Sequence, residues 1–126
     1  MRSQTFPAEA RSLGAIRRLV RSAGAAARLD EGALGDVVLA TSEASANAVL
    51  HSGATRIRVE TGLTNSCFEV NVEDDGTFEG DGRARDPSRG RGLRIIRVVM
   101  DEVRVRRGRV GGQGTRVTMR KCAGVG

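Results

Sequence analysis

Hydrophobic residues recur at three- and four-residue spacing in three stretches of the chain, which is the period of an amphipathic helix. The first stretch, residues 8–29, has such positions at Leu13, Ile16, Leu19, Val20 and Ala23. A second helix is predicted to begin at Asp30 or Glu31, whose side chain can accept bonds from free amides, and to close at Gly53. A short third helix is predicted over residues 93–100.

The segments between these helices carry the period-2 pattern and the turn signals of strands. The predicted strands are residues 5–7, 55–61, 68–73, 102–107 and 114–120. A turn at residues 64–66 joins the second and third strands into a hairpin, and Pro7 confines the first strand to a sheet edge or end. Residues 77–89 show no periodicity and are predicted to form a mobile loop, and residues 123–126 are expected to fray.

The predicted order is strand, helix, helix, strand, strand, helix, strand, strand. Helices that alternate with hairpins indicate an α/β (α+β) fold, a two-layer sandwich whose mixed, mostly antiparallel sheet carries three helices on one face. A chain of 126 residues fits one domain. We therefore expect a single domain over residues 1–126 with its core at about 6–120.

Charge and composition narrow the class of protein. The formal net charge is +6, with twenty Arg against one Lys, but aromatic residues make up only 2%. A stacking platform for single strands is therefore not expected, and a basic nucleic-acid-binding domain is an alternative that explains the charge alone. No apolar run approaches the ~20 residues that cross a bilayer, and no signal segment precedes the first strand, so we expect a cytoplasmic location.

The two cysteines, Cys67 and Cys122, lie far apart in sequence and lack any CxxC spacing. In a reducing compartment they are expected to be free thiols rather than a disulfide or a zinc site. No structural metal is expected.

Two polar residues, Glu43 and Asn47, interrupt the small apolar run of the second predicted helix. Each helical residue turns ~100°, so the two side chains project side by side, with Leu39 and Leu50 flanking them and His51 one turn further along. We expect the pair to look inward, where a carboxylate and an amide are costly unless a ligand, metal or partner satisfies them. The alternative is a polar stripe with an i,i+4 hydrogen bond, and His51 is interpreted as a helix-end polar residue.

Two further motifs place candidate chemistry at the ends of predicted elements. Asp74 and Gly76 deliver a carboxylate to a sharp turn where the third strand ends. A glycine-rich stretch precedes the third helix, where the free amides of a first turn favour phosphate, although such glycines are often only flexible connectors. We expect the site to line the gap between the Glu43 helix, the Asp74 turn and this helix start, which consists of Gly90, Arg91 and Gly92.

Four motifs now stand in order along the chain: Glu43-x-x-x-Asn47, Asp74-x-Gly76, Gly90-Arg91-Gly92 and Gly114-Thr115. Together they resemble the nucleotide-binding boxes of the gyrase, Hsp90, histidine-kinase and MutL (GHKL) ATPase superfamily. Within it, the phrases SEASANAVLHSG, RGRGLRII and GGQGTRVTM are most similar to anti-sigma-factor serine kinases of the RsbW and SpoIIAB type. The resemblance covers about residues 6–120 and implies a Bergerat-type ATP-binding fold with ATP and Mg²⁺ as cofactors.

The resemblance implies a role for each candidate residue. Asn47 would ligate Mg²⁺ through its amide oxygen, and Glu43 would be the general base that accepts the proton of a substrate seryl hydroxyl. Asp74 would accept a hydrogen bond from the adenine amino group, Gly76 would let the chain turn beneath the base, and Thr115 would support Asp74 or the base edge. The phosphates would be contacted by three residues: Gly90, Arg91 and Gly92.

The implied function is an ATP-dependent serine kinase that phosphorylates a STAS-type anti-anti-sigma protein and sequesters a sigma factor, in stress-response transcription regulation. A serine phosphatase partner and a homodimer are also implied. Phe78 stands where the family usually has a second glycine after Gly76, and the predicted lid is short. The alternative is an ATP-binding switch without kinase activity that regulates a phosphatase or sigma factor by contact alone.

Overall fold

The structure is a computed structural model that describes residues 1–51, 53–76, 87–108, 114–122 and 124. Its elements follow the predicted order: β1 (Arg2–Pro7), α1 (Ser12–Ala26), α2 (Glu31–His51), β2 (Arg56–Thr64), β3 (Cys67–Asp74), α3 (Pro87–Val99), β4 (Glu102–Arg107) and β5 (Thr115–Lys121). The predicted loop falls outside the described residues over 77–86. None of the described helices is long and apolar enough to cross a bilayer.

The five described strands form one sheet in the order β1-β2-β3-β5-β4. All four described pairings are antiparallel, which confirms the mostly antiparallel sheet that was expected; none of these four pairings is the parallel one that a mixed sheet would include. The chain returns through α3 to β4, and the hairpin partner β5 then inserts beside β3. This placement brings the end of β3 and the start of β5 together at one end of the sheet.

Helix α2 begins and ends between the two capping residues that the sequence predicted, Asp30 and Gly53. The Asp30 carboxylate accepts a hydrogen bond from the Ala33 amide at 2.8 Å, which satisfies one of the free amides of the first turn. After the helix, Gly53 has a φ of +68°, the left-handed conformation that glycine adopts most readily. The β2–β3 turn also follows expectation, since Asn65 and Ser66 both have positive φ, as a two-residue hairpin turn of type I′ requires.

The core lies between the sheet and the helices. Its fully buried side chains include Ile16, Val20, Val37, Ile57, Val59, Val70, Ile96 and Met119. Helix α2 packs between α1 and α3 and also contacts β3 and β5. Small alanine side chains on its buried side allow this close central position, and the two-layer arrangement is confirmed.

Helix α3 begins earlier than its hydrophobic period predicted. Pro87 is its first residue, a position where the fixed φ and missing amide of proline are tolerated. Gly90 and Gly92 therefore lie within the first two turns and do not precede the helix. The prediction failed here because glycine has low intrinsic helix propensity and hides the start of the element.

The expectation of free thiols is wrong, because Cys67 and Cys122 form a disulfide. In the β3–β5 register Phe68 lies opposite Lys121, so the next positions outward face each other, with their Cα atoms 4.2 Å apart. The two residues are separated by 55 positions in sequence. Only the strand order, which periodicity does not determine, brings them together.

Three contacts fasten the end of β5 and the residues after it to α2, α3 and the residue before α2. Lys121 Nζ donates to Asp36 Oδ2 at 2.9 Å and to the Val99 carbonyl at 2.6 Å. The Gly124 carbonyl accepts a hydrogen bond from the Asp30 amide at 3.0 Å. Gly124 is therefore held in place, contrary to the expectation that residues 123–126 fray. We call this region, where β5 ends, α2 begins and α3 ends, the anchored end.

Candidate functional site

The candidate residues lie away from the anchored end. From Asp36 to Asn47 helix α2 rises ~16 Å, and from Lys121 back to Thr115 strand β5 spans ~20 Å. Helix α3 ends at the anchored end and packs against α2, and its 13 residues span ~20 Å, so it begins toward the opposite end. The structure thus brings four features to one end of the molecule: the second half of α2, the end of β3, the start of β5 and the first turns of α3.

Asp74 and Thr115 are direct partners on adjacent strands. They alternate in phase with the buried residues Val72 and Val117, so both side chains point to the helix side of the sheet. Asp74 is 8% exposed and Thr115 is 4% exposed. The Gly76 amide donates to Asp74 Oδ1 at 2.8 Å, which holds the carboxylate at the turn. A buried, oriented carboxylate therefore stands at the sheet end.

Gly114 is required by the close approach of the two strands at this point. A Cβ added to Gly114 would lie 1.8 Å from the Asp74 carbonyl oxygen and 3.2 Å from the Asp75 Cα. Sequence reasoning used Gly114 only as part of a motif and assigned it no role. The contact shows that its missing side chain sets the position of Asp74.

Asp75 is a second residue that sequence reasoning left without a role. Its carboxylate accepts hydrogen bonds from the Thr55 amide at 2.8 Å, the Arg56 amide at 3.0 Å and the Thr55 hydroxyl. Partial burial raises the pKa of Asp75, but the hydrogen bonds from Thr55 and Arg56 outweigh it, so the pKa lies below its ordinary value of 3.8. Asp75 thereby ties the turn after Asp74 to the start of β2.

Glu43 and Asn47 are half-buried on α2. They follow Asp36 at helical spacing, and Asp36 reaches the end of α3 through Lys121, so this side of α2 faces α3. Leu39 and Leu50, expected to flank an inward pair, are 42% and 70% exposed. The pair lies at the border of the buried face because the exposed side of α2 carries these leucines.

For those remaining predicted residues that it describes, the structure gives the helix in which each one lies. Gly90, Arg91 and Gly92 belong to the first two turns of α3, whose first backbone amides lack partners within the helix. His51 is the last residue of α2, consistent with its interpretation as a helix-end residue. Phe78 and the predicted lid fall outside the described residues.

The candidate metal ligands at this site suit one mode of magnesium binding. Within the described ranges, no three His, Cys, Asp or Glu residues cluster as a metal site. Mg²⁺ usually keeps several waters and is bound by one or two protein ligands together with substrate phosphates. A half-buried amide such as that of Asn47 fits this mode, and an all-protein cage among these residues does not.

Comparison with known proteins identifies the family. A family model described as the histidine kinase-like ATPase domain matches residues 6–121. The chain belongs to this family. The superfamily resemblance of its motifs is therefore confirmed, and family membership implies that this domain binds ATP.

Solved structures share the fold. The RsbU and RsbW domains of Rv1364c from Mycobacterium tuberculosis match with a TM-score of 0.73 at 23% identity, over 96% of this chain and 32% of that chain. The blue-light activated histidine kinase EL346 from Erythrobacter litoralis matches with a TM-score of 0.61 at 25% identity, over 93% of this chain and 42% of that one. This ATPase domain thus spans less than half of either protein. No curated protein matches the chain.

Proposed function

We propose that this ATPase domain is a serine kinase that phosphorylates a STAS-type anti-anti-sigma protein and sequesters a sigma factor. The observation that carries the proposal is the buried Asp74–Thr115 pair at the same end of the molecule as Glu43 and Asn47. The RsbW domain among the structural matches supports a regulatory role of this type. A partner serine phosphatase and a homodimer belong to the same proposal.

Nucleotide selectivity would come from the sheet end. The Asp74 carboxylate is acceptor-only when ionised, so it can receive the adenine amino group but repels a base edge that presents an acceptor there. Thr115, directly opposite, offers a hydroxyl that can donate or accept. Because both side chains are buried, each hydrogen bond to the base would be protected from water, and a mismatched base would leave a buried group unpaired.

Phosphate positioning would come from the helices. Asn47 would hold Mg²⁺, which supplies charge neutralisation at the transferring phosphate when bound. The free amides at the start of α3, in the turn that leads into Gly90, would bind phosphate oxygens. Arg91 lies in the same turns and would add a positive charge.

Glu43 would act as the base of the transfer step. It stands one helical turn before Asn47, on the side of α2 that faces α3, and it is half-buried, so a substrate hydroxyl could approach it. Its carboxylate would accept the seryl proton as the oxygen attacks the γ-phosphate.

A switch without kinase activity is the second candidate function. Phe78 in place of the family's second glycine favours it, since the box that follows Asp74 is altered. A pure switch needs ATP binding but no base, so Glu43 separates the two candidates.

The decisive experiment compares transfer and affinity in Glu43→Gln. Purified chain, labelled ATP, Mg²⁺ and a candidate STAS-type partner would be assayed for phosphoserine, with calorimetry for the affinity for ATP. A kinase should lose about 10²–10⁴-fold in rate at unchanged affinity. Glu31→Gln, an exposed carboxylate on the same helix, is the matched control and should transfer normally. Equal transfer by Glu43→Gln and wild type would exclude Glu43 as the base.

A further inference from the structure

An ion-pair network lies behind the proposed adenine site, on the sheet face opposite the helices. The Arg116 guanidinium on β5 donates from Nη1 to Glu73 Oε1 at 2.8 Å and from Nη2 to Glu60 Oε1 at 3.0 Å. The three side chains belong to three adjacent strands, β5, β3 and β2. Arg116 is 9% exposed and Glu73 is 8% exposed, although none of the described helices covers this face.

The network is adjacent in sequence to both residues of the buried pair. Glu73 immediately precedes Asp74, and Arg116 immediately follows Thr115. Successive strand residues point to opposite faces of the sheet. The Glu73–Arg116 pair therefore lies on the outer face, and the neighbouring Asp74–Thr115 pair lies on the helix side, at the proposed site. A backbone shift of β5 at Arg116 relative to Glu73 on β3 would therefore also move Thr115 relative to Asp74.

Stability alone does not account for this arrangement. Burial lowers the pKa of Arg116, but the hydrogen bonds and charges of Glu73 and Glu60 raise it above its ordinary value, so the guanidinium is charged. Buried ion pairs cost desolvation and can often be replaced by apolar residues without loss of stability. What they do impose is geometry, because a guanidinium bridges two carboxylates only when three strands are in register.

We propose that Arg116, with Glu73 and Glu60, is a positioning residue that sets the alignment of Asp74 and Thr115 and thereby the preference for adenine over other bases. The proposal rests on the proposed function, since it assigns Asp74 and Thr115 to the base. It adds a specificity-determining role for residues that do not contact the nucleotide.

Arg116→Met tests the proposal because methionine keeps an apolar stem and removes both ion pairs. Arg120→Met is the matched control, since Arg120 lies on the same face of β5 and pairs with Glu69 at 3.5 Å and Glu102 at 3.3 Å, but near the anchored end. Glu73→Gln is a second, isosteric variant that tests the same network if Arg116→Met does not fold. All are measured in the full chain.

The first readout is the ratio of ATP to GTP affinity by calorimetry. A buried group that loses its hydrogen-bond partner costs roughly tenfold in affinity, so we expect Arg116→Met to lower this ratio by about tenfold and Arg120→Met to leave it unchanged. The second readout needs no nucleotide: hydrogen exchange of the Gly76 amide, which donates to Asp74 Oδ1. It should accelerate in Arg116→Met and not in Arg120→Met.

The two readouts separate the proposals. If the wild type binds no adenine nucleotide, the proposed function fails, while faster Gly76 exchange in Arg116→Met alone still shows that the network positions Asp74. Equal changes in both Arg variants, or none in either, would overturn the positioning role and leave the network as a general contribution to folding.

Discussion

Gly114→Ala is the substitution whose effect on the site can be worked out most directly. The added Cβ would lie 1.8 Å from the Asp74 carbonyl oxygen, whereas real Cβ atoms essentially never approach a neighbour closer than 3.0 Å. The strands must therefore separate locally by about 1.2 Å, because backbone atoms, unlike a side-chain tip, cannot rotate away. The displaced residue is the one proposed to select adenine.

The magnitude follows from this displacement. Overpacking of a well-packed region costs about 1–3 kcal/mol, which for a domain of this size lowers Tm by roughly 4–12 °C. A displaced Asp74 would leave a buried hydrogen-bonding group unpaired, which costs about 1–3 kcal/mol, so ATP affinity should fall by roughly one to two orders of magnitude.

The assay pairs scanning calorimetry with ATP titration, and two glycines supply controls. Gly108→Ala crowds the backbone at Gly114 less than Gly114→Ala does, since the Cβ added at Gly108 would lie 3.1 Å from the Gly114 carbonyl carbon. Gly35→Ala lies on the exposed side of α2 with nothing within 4 Å and should stabilise the chain by about 0.4–1 kcal/mol. Wild-type affinity and Tm in Gly114→Ala would refute the reasoning, as would equal losses in Gly35→Ala.

Three further predictions concern stability. Reduction of the Cys67–Cys122 bond opens a loop of 55 residues and should cost up to about 4 kcal/mol; a reductant should lower the wild-type Tm and leave Cys67→Ala/Cys122→Ala unchanged. Asp75 has a lowered pKa when folded, so its stabilisation is present above pH 3.8 and is lost as the pH falls further; the Tm difference between wild type and Asp75→Asn should shrink below that pH. Asp30→Ala removes the N-cap of α2 and should cost about 1 kcal/mol in urea denaturation.

Local signals predicted the elements best. The Asp30 cap, the Gly53 closure and the alternation of Ile57 and Val59 each depend on residues close in sequence, and each is confirmed. The α3 start was missed because glycine and arginine carry no hydrophobic period. The motif residues Asp74 and Thr115 could be placed together only through the resemblance, since their pairing depends on strand order.

Nonlocal contacts were beyond sequence reasoning. Cys67 and Cys122 meet because β5 inserts beside β3, and spacing alone gave no signal of this. The same insertion creates the Arg116 network and the close approach at Gly114. A repeated Glu or Arg at alternate strand positions predicts only an exposed polar face, so its burial could not be anticipated.

That polar face explains how a sheet with helices on one side keeps its strands aligned. Asn71, in the middle of β3, is 1% exposed, and its amide donates to Glu69 Oε2 at 3.0 Å while its oxygen accepts the Thr118 hydroxyl. A one-residue slip of β3 would carry Asn71 into the apolar core and turn Val70 and Val72 outward. The slip is therefore penalised on both faces at once. Strand register at the proposed ATP site thus depends on hydrogen bonds of the outer face as well as on the core, and this is why a variant of Arg116 should alter nucleotide preference without contacting the nucleotide.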